Sequence, residues 1–255
     1  MLRFLRPLLA KPAAARPTVR TPAPTSLRCG DRDVPLAIVA SPRARRLSLR
    51  ADSVRGQIRV SLPPRVRLAE ATAFIAAHHD WIAARVARWP VASPFVAGAT
   101  IPFDGAPLLL DWRADHPRGI RRDGDRLVIG GPRETVPGRT ARWLKAQALA
   151  AMTAPTQDLA AAVDRKVTKV SVRDPAGRWG SCSSSGAIGY SWRLILAPEW
   201  VRNSVVAHEV AHLVHPNHGR EFWVLAAKLN GGDPSPARAW LGTHGPGLHW
   251  VGRAD

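Results

Sequence analysis

The residues best suited to chemistry lie in one short segment, 208–218, which reads His-Glu-Val-Ala-His-Leu-Val-His-Pro-Asn-His. His208 and His212 are four residues apart, and residues at this spacing share one face of an α-helix, so both imidazoles can bind one metal ion. Glu209 lies about 100° further around the helix, close enough to address a metal-bound water without binding the metal itself. The spacing predicts a catalytic zinc site, which takes three protein ligands and leaves a fourth position open.

The third ligand must come from outside this pair. On an unbroken helix His215 shares the face of His208 but lies about 10.5 Å along the axis, and one ion with bonds of about 2.0–2.1 Å cannot easily bind all three. His218 lies beyond the proline of the segment, which favours a helix end just before it, so a turn can bring His218 back over the pair. His215 and, more weakly, Glu221 remain alternatives. The residues therefore favour Zn2+ held by His208, His212 and His218.

The chemistry that follows is hydrolysis. Zinc lowers the pKa of its bound water toward about 7, and Glu209 is placed to take the proton and return it to the leaving group. The attacked centre is a carbonyl or a phosphoryl group. The group that stabilises the developing negative charge is not identified by spacing, and Tyr190, Arg193 and His215 are candidates by residue type.

Length and composition limit the other classes. The chain has 255 residues, 45% of them hydrophobic, enough for one large domain or two small ones. It has no run of about 18 uncharged apolar residues, so no membrane segment is expected. Cys29 and Cys182 lie in different halves of the chain, so they do not indicate a disulfide framework. A reducing compartment is the simpler interpretation, and we expect the cytoplasm.

The net charge of +18 is concentrated in residues 1–150, which hold 26 Lys and Arg against 11 Asp and Glu. Solubility and coding bias account for such an excess, and a surface for nucleic acid or nucleotide is the alternative. The basic residues are scattered and are not interleaved with aromatic ones. Weak, non-specific nucleic-acid contact through the first half is therefore the expectation.

Periodicity divides the chain into four parts. Residues 1–28 form a basic leader rich in Pro and Ala that we expect to be disordered. Residues 29–132 alternate apolar and polar positions in a β-rich region that contains one amphipathic helix, at 68–89. Residues 133–242 hold the histidine segment, and residues 243–255 form an irregular, Gly-rich tail.

The second half places short elements around the histidines. Pro198 and Glu199 suit the first turn of the histidine helix. In chain order we predict a helix at 138–164, a strand at 167–172, a loop of small residues at 177–186, a strand at 188–196, the histidine helix at 199–214 and a further helix at 219–230.

Taken together, these motifs resemble the YgjP-like metallopeptidase-domain family, which is related in motif to the SprT and WLM groups of zincins. The similarity covers most of the chain from about Val34 and rests on separated motifs in the same order. They are Trp179-Gly180-Ser181-Cys182-Ser183, Ser191-Trp192-Arg193-Leu194, Pro198, His208-Glu209-Val210-Ala211-His212-Leu213, Asn217-His218 and Phe222-Trp223.

This resemblance implies the site and the fold. It implies zinc ligands at His208, His212 and His218, a catalytic glutamate at Glu209, and the Trp-Gly-Ser-Cys loop and its strand beside the active-site helix. Such a strand can align an extended substrate by main-chain pairing. The implied fold is α+β, a zincin-like C-terminal domain with the active-site helix beside a small mixed sheet, preceded by the β-rich region with its amphipathic helix.

The implied function is a zinc-dependent metallohydrolase, most closely a metallopeptidase that acts on protein or peptide. A metal-dependent nucleoside triphosphate pyrophosphohydrolase is an alternative, because such an activity has been attributed within the family. A nucleic-acid-binding protein with a structural zinc is a third hypothesis. Glu209 argues against it, since a purely structural site needs no general base.

Overall fold

The computed structural model describes residues 25–254. The predicted leader, 1–28, lies outside the described residues except for its last four positions. The prediction of disorder is wrong for these last positions, because Ser26–Cys29 form a strand, β1. This strand pairs antiparallel with the next one and buries Cys29.

The first sheet has the strand order β1-β2-β4-β3. Its other members are β2 (Arg32–Ala40), β3 (Ser48–Asp52) and β4 (Gln57–Leu62). The parallel pair β2 and β4 forms the centre, and an antiparallel neighbour flanks it on each side. Ile58 and Val60 of β4 alternate with polar residues and are fully buried, as the period of two predicts.

Two helices cover this sheet where the periodicity predicted one. α1 (Leu68–Ala77) and α2 (His79–Val86) meet at His78, whose backbone leaves helical geometry at φ −110° and ψ 14°. The Nδ1 atom of His78 lies 2.8 Å from the Phe74 carbonyl oxygen at this break. The apolar stripe continues across it, because both helices pack on one cluster: Cys29, Val34, Leu36, Ile58, Val60, Ile75, Ile82, Val86 and Trp89.

The second sheet repeats the topology of the first. It consists of β5 (Thr100–Phe103), β6 (Ala106–Trp112), β7 (Ile120–Asp123) and β8 (Arg126–Ile129), in the order β5-β6-β8-β7, with β6 and β8 parallel. The alternation of apolar and polar positions predicts a β-rich region here, but it does not indicate β7, because the Ile-Arg-Arg-Asp sequence of β7 is mostly exposed and lacks apolar alternation.

The small mixed sheet beside the histidines follows a long helix, α3 (Val136–Ala161). Its strands are β9 (Lys169–Arg173), β10 (Gly180–Cys182) and β11 (Ala187–Ser191). β11 pairs parallel with β9 and antiparallel with β10, so β10 is an edge strand. Neither α3 nor any other helix in the described part of the chain has both the length and the apolar character that a membrane span requires.

The strand predicted at 188–196 ends at Ser191, and Trp192–Leu196 form a buried 3₁₀ helix. A short apolar run is compatible with a buried strand and with a buried helix, so periodicity could not separate them. The histidine helix, α4 (Glu199–Ala211), begins as predicted and ends three residues before 214. α5 (Arg220–Asn230) follows and ends at Gly231 in the left-handed region, φ 72°.

The tail was predicted to be irregular, and this is wrong as far as residue 248. α6 (Ser235–Leu248) is helical despite its glycines and Pro246. One of these glycines is needed for packing, since a Cβ on Gly245 would lie 2.7 Å from the Trp179 ring. Tertiary packing therefore overrides the low helix propensity of the segment.

One apolar cluster joins the second sheet, α3, β11 and α4 across the predicted domain boundary at 132. The division of the chain into domains itself stays a prediction. Its largest fully buried members are Tyr190, Ile101, Leu108, Leu110, Leu127, Ile129, Leu144, Met152 and Ile188. The architecture is thus α+β with mixed sheets, as predicted, and α4 packs against both α3 and the strand β10 of the small sheet.

Candidate metal centre and active site

α4 and the turn after it bring three histidines together. His208 lies in the last turns of α4, His212 is its C-cap, and His218 follows the turn that leads to α5. Their candidate ligand atoms all lie within 4.8 Å of one another, and the Nε2 atoms of His208 and His218 are 3.1 Å apart. Two ligands of a tetrahedral zinc are separated by about 3.3 Å. The donor set therefore fits this ion in both chemistry and spacing.

The alternative ligands face away from the three rings. Nδ1 of His215 lies 3.8 Å from the Glu221 carboxylate, and both residues border a separate surface depression. The main chain of His215 nevertheless contributes, because its carbonyl oxygen lies 3.1 Å from Nδ1 of His212. A carbonyl only accepts, so Nδ1 of His212 donates and its Nε2 keeps a lone pair for a metal.

An aromatic side chain of α5, Phe222, packs against all three imidazoles. The buried Phe222 ring lies 4.9, 4.5 and 4.6 Å, centroid to centroid, from the rings of His208, His212 and His218. Burial, together with the neighbouring histidines and Arg238, lowers the pKa of His208 to about 4. Burial also lowers the pKa of His212. Both rings are therefore neutral near pH 7, the form that binds metal.

Glu209 is enclosed between α4 and β10, and only 6% of its surface is exposed. Burial raises the pKa of its carboxyl to about 7, and the charge of Arg178 acts in the opposite direction. A Cβ on Gly180 would lie 2.3 Å from Oε1 and 2.5 Å from Cγ of Glu209. The glycine of the Trp-Gly-Ser-Cys motif is thus required by the close approach of the Glu209 side chain.

Two cavities meet at His208 and Glu209. The larger cavity, about 430 Å³, runs along β10 and the following serines and also borders His212 and His218. The smaller cavity, about 250 Å³, lies between Trp179, α5 and α6. Among the described residues that line the two cavities, Glu209 is the single acid, and it stands where they join.

Two of the proposed charge stabilisers serve the core instead. The Tyr190 hydroxyl is buried and lies 2.9 Å from the Thr156 hydroxyl, and burial raises the pKa of the tyrosine. The Arg193 guanidinium donates from Nε and Nη2 to Asp174 at 2.7 and 3.1 Å. The third candidate, His215, faces the depression described above.

The sequence patterns did not indicate two arginines that border these cavities, which together form the candidate active-site cleft. Arg178 lines both cavities, and Arg238 of α6 lines the smaller one. For Arg178 a signal existed, because it directly precedes the Trp-Gly-Ser-Cys motif. For Arg238 there was none, since α6 was not predicted and its approach to the cleft depends on tertiary packing.

The comparisons with known proteins assign the class. Residues 45–244 match the family model described as YgjP-like, metallopeptidase domain. The match covers well over half of the chain, so the protein belongs to the YgjP-like metallopeptidase-domain family, and the resemblance is confirmed. Comparisons with curated proteins and with solved structures give no match. Family membership implies a metal ion, typically zinc, and peptide substrates.

Proposed function

We propose that the protein is a zinc-dependent metallopeptidase in which His208, His212 and His218 hold the metal and Glu209 is the general base. The observation that carries the proposal is the convergence of three imidazoles within 4.8 Å beside a buried carboxylate. Structural zinc sites are closed by four protein ligands, whereas three ligands leave a position for water and substrate. The donor set therefore supports a catalytic role.

The residues of the chain supply the proton transfers. When bound, zinc polarises the scissile carbonyl and lowers the pKa of water beside it. Glu209 accepts the proton of the attacking water and delivers it to the amide nitrogen as the peptide bond breaks. The tight packing of Glu209 against Gly180 holds the carboxylate in one orientation, which general base catalysis requires.

The edge of the small sheet supports a peptide as substrate. Among residues 25–254, no strand pairs with the outer side of β10, and Ser181, Cys182 and Ser183 border the larger cavity. An extended peptide can add to such an edge through main-chain hydrogen bonds, which places its carbonyl groups next to the histidines. The packing of α4 on β10 supports a zincin-like arrangement of the second half.

The variant Glu209→Gln separates catalysis from metal binding. Its kcat on an unfolded protein or a peptide is expected to fall by at least about 100-fold, because a general base contributes 10²–10⁴. Zinc content, measured by mass spectrometry, should stay at the wild-type level. Glu221→Gln is the matched control, since Glu221 is exposed and outside both cavities. Retained activity in Glu209→Gln, or lost zinc in Glu221→Gln, would contradict the proposal.

A pair of histidine variants tests the ligand set. His218→Ala should lose bound zinc, because it removes one of the three converging nitrogens. His215→Ala should keep zinc, because the contact that His215 makes with His212 comes from its carbonyl oxygen, which the substitution retains. The opposite pattern would assign the third ligand to His215.

Hydrolysis of nucleoside triphosphates is the second candidate, and one observation favours it. Arg178 and Arg238 border the cleft, and guanidinium groups bind phosphate as well as carboxylate. Wild-type protein and Glu209→Gln should therefore be offered ATP alongside peptides. Turnover of ATP that exceeds peptide turnover and is lost in Glu209→Gln would replace the peptidase proposal.

We also propose a reducing, cytoplasmic setting, which is supported by the two free cysteines. Weak nucleic-acid contact through the basic first half remains a separate proposal, based on the net charge of +18. Its signature is DNA affinity that falls steeply as salt is raised.

A further inference from the structure

The residues that line the smaller cavity, beside Glu209, are suited to bind one apolar side chain. Trp179 closes one side, and small or apolar residues of α4, α5 and α6 close the rest. Burying an unpaired charged group among such residues is unfavourable, whereas burying a hydrocarbon side chain is favourable. The wall residues are Trp179, Ser204, Val205, Ala226, Pro234, Ala237 and Leu241.

Two guanidinium groups stand at the border of this pocket. Arg178 lies where the two cavities join, and Arg238 packs over the Trp223 ring with its Cζ atom 4.7 Å from the ring centroid. Both side chains are exposed, and no acidic side chain in the described part of the chain lies within 4 Å of either. An anion brought by the substrate would therefore find positive charge at this border.

We propose that the pocket takes an apolar side chain of the substrate and that Arg178 and Arg238 bind a carboxylate next to it. This inference rests on the proposed peptidase function and names its substrate class. Because the pocket borders His208 and Glu209, the apolar residue lies directly beside the scissile bond. Hydrolysis consumes one water and leaves a carboxylate on one fragment and an amine on the other.

Such a carboxylate has two sources. It is either the free C-terminus of an apolar residue, in which case the protein removes residues from chain ends, or the side chain of Asp or Glu beside an apolar residue within a chain. The first source requires an unblocked terminus. The second is insensitive to amidation of the terminus.

Binding to the inactive Glu209→Gln protein distinguishes these sources without turnover. One peptide pair ends in leucine, as free acid or as amide. A second, amidated pair carries Leu-Asp or Leu-Asn internally. At low salt the acid of at least one pair should bind about 5- to 10-fold more tightly than its neutral partner in calorimetry. Adding Arg178→Gln or Arg238→Gln should reduce this ratio toward one.

Arg220→Gln in the same background is the matched control, because Arg220 is an exposed arginine of α5 that borders neither cavity. The ratio should stay at its original value there. Each titration is repeated without zinc, since a carboxylate could bind the metal instead. The inference is overturned if the acid peptide binds more tightly than its neutral partner only when zinc is present. It is also overturned if this preference for the acid peptide persists in both Arg178→Gln and Arg238→Gln. Equal binding of acid and neutral peptides overturns it as well.

Two further outcomes remain distinguishable. ATP that displaces the peptides, with the same dependence on Arg178 and Arg238, assigns this border to phosphate and overturns the inference. Wild-type protein that cleaves no peptide defeats the proposed function, while the binding ratios still decide whether the pocket recognises a carboxylate.

The apolar part of the pocket has its own test. Leu241 lies on its wall, and Leu241→Ala widens the pocket. The ratio of affinities for phenylalanine over leucine at the apolar position should rise by about 10-fold, and the acid-to-neutral ratio should not change. An unchanged phenylalanine-to-leucine ratio in a variant with wild-type thermal stability overturns the assignment of the side-chain pocket.

Discussion

The substitution Gly180→Ala should displace the Glu209 carboxylate while leaving the three histidines in place. An added Cβ would lie 2.3 Å from Oε1, 2.5 Å from Cγ and 2.6 Å from Cδ of Glu209, and these are its three nearest heavy atoms. Non-bonded atoms are most stable at separations of about 3.5–4.0 Å. Because β10 is held by its pairing with β11, the Glu209 carboxylate must move, by about 1 Å.

A displacement of this size has a known order of magnitude in catalysis. Misplacing a catalytic group by about 1 Å costs about 100-fold in rate. We therefore expect kcat/KM for peptide hydrolysis to fall by about 100-fold. Zinc content and the thermal midpoint should stay near the wild-type values, since the nearest atoms of the new methyl group all belong to Glu209 and none to a histidine.

Gly177→Ala, in the loop directly before β10, is the matched control. A Cβ at Gly177 meets nothing within 4 Å, and its backbone has no positive φ. Both substitutions also restrict the unfolded chain equally, so that contribution cancels in the comparison. Full activity in Gly180→Ala would refute the reasoning, as would activity lost only together with zinc, or an equal loss in Gly177→Ala.

Three further predictions concern stability. Burial, assisted by Arg193, lowers the pKa of His249 to about 4 from a usual value near 6.5. The unfolded chain therefore binds this proton first, and His249 should contribute a stability loss of up to about 3 kcal/mol as the pH drops from 6.5 to 4. The total loss measured by urea titration over this range should be smaller by about this amount in His249→Phe. Arg202 is buried and paired with Asp104, so Asp104→Asn should lower the free energy of unfolding by about 2–3 kcal/mol. Adding Arg202→Met should recover part of this loss, because it removes the unpaired buried charge. An unchanged urea midpoint in Asp104→Asn would contradict this prediction. Zinc at about 100 times its Kd should stabilise the wild type by about 2.7 kcal/mol, and no such rise in the melting midpoint is expected in His218→Ala.

The convergence of the three histidines could be predicted because it depends on local geometry. The spacing of His208 and His212 places them on one helix face, and the proline at 216 predicts a turn before His218. The packing of Gly180 against Glu209 could not be predicted in the same way. It depends on how β10 lies against α4, which is a tertiary contact that no local pattern encodes.

The fold was predictable where one face of an element is buried and the other exposed. This holds for β4 and for the start of α4. It fails for Trp192–Leu196, which is apolar throughout, and for Ile120–Asp123, which is mostly exposed. It also fails for the common topology of the first two sheets. Their equivalent strands share an order and pairing directions but no visible sequence repeat.

The contacts of Arg193 explain why this residue does not serve as the charge stabiliser. Its guanidinium donates to Asp174 from one side and, through Nη1, to the carbonyl oxygens of Leu248 at 2.6 Å and Val251 at 2.9 Å. Asp174 begins the loop that leads to Gly180. Arg193 therefore ties that loop to the C-terminal segment and lines neither of the two cavities.

His249 and Trp250 of the C-terminal segment connect the loop that leads to Gly180 with the first sheet. The ring of His249 lies 5.2 Å from that of Trp179, the neighbour of Gly180. The next residue, Trp250, donates its indole N–H to the Ser53 carbonyl at 2.7 Å. The first sheet and the loop that leads to Gly180 are thus both held by contacts with His249 and Trp250. Disturbing this segment should therefore impair the positioning of Glu209 even though the segment lies outside both cavities, because the loop would lose contacts that hold Gly180 against the carboxylate.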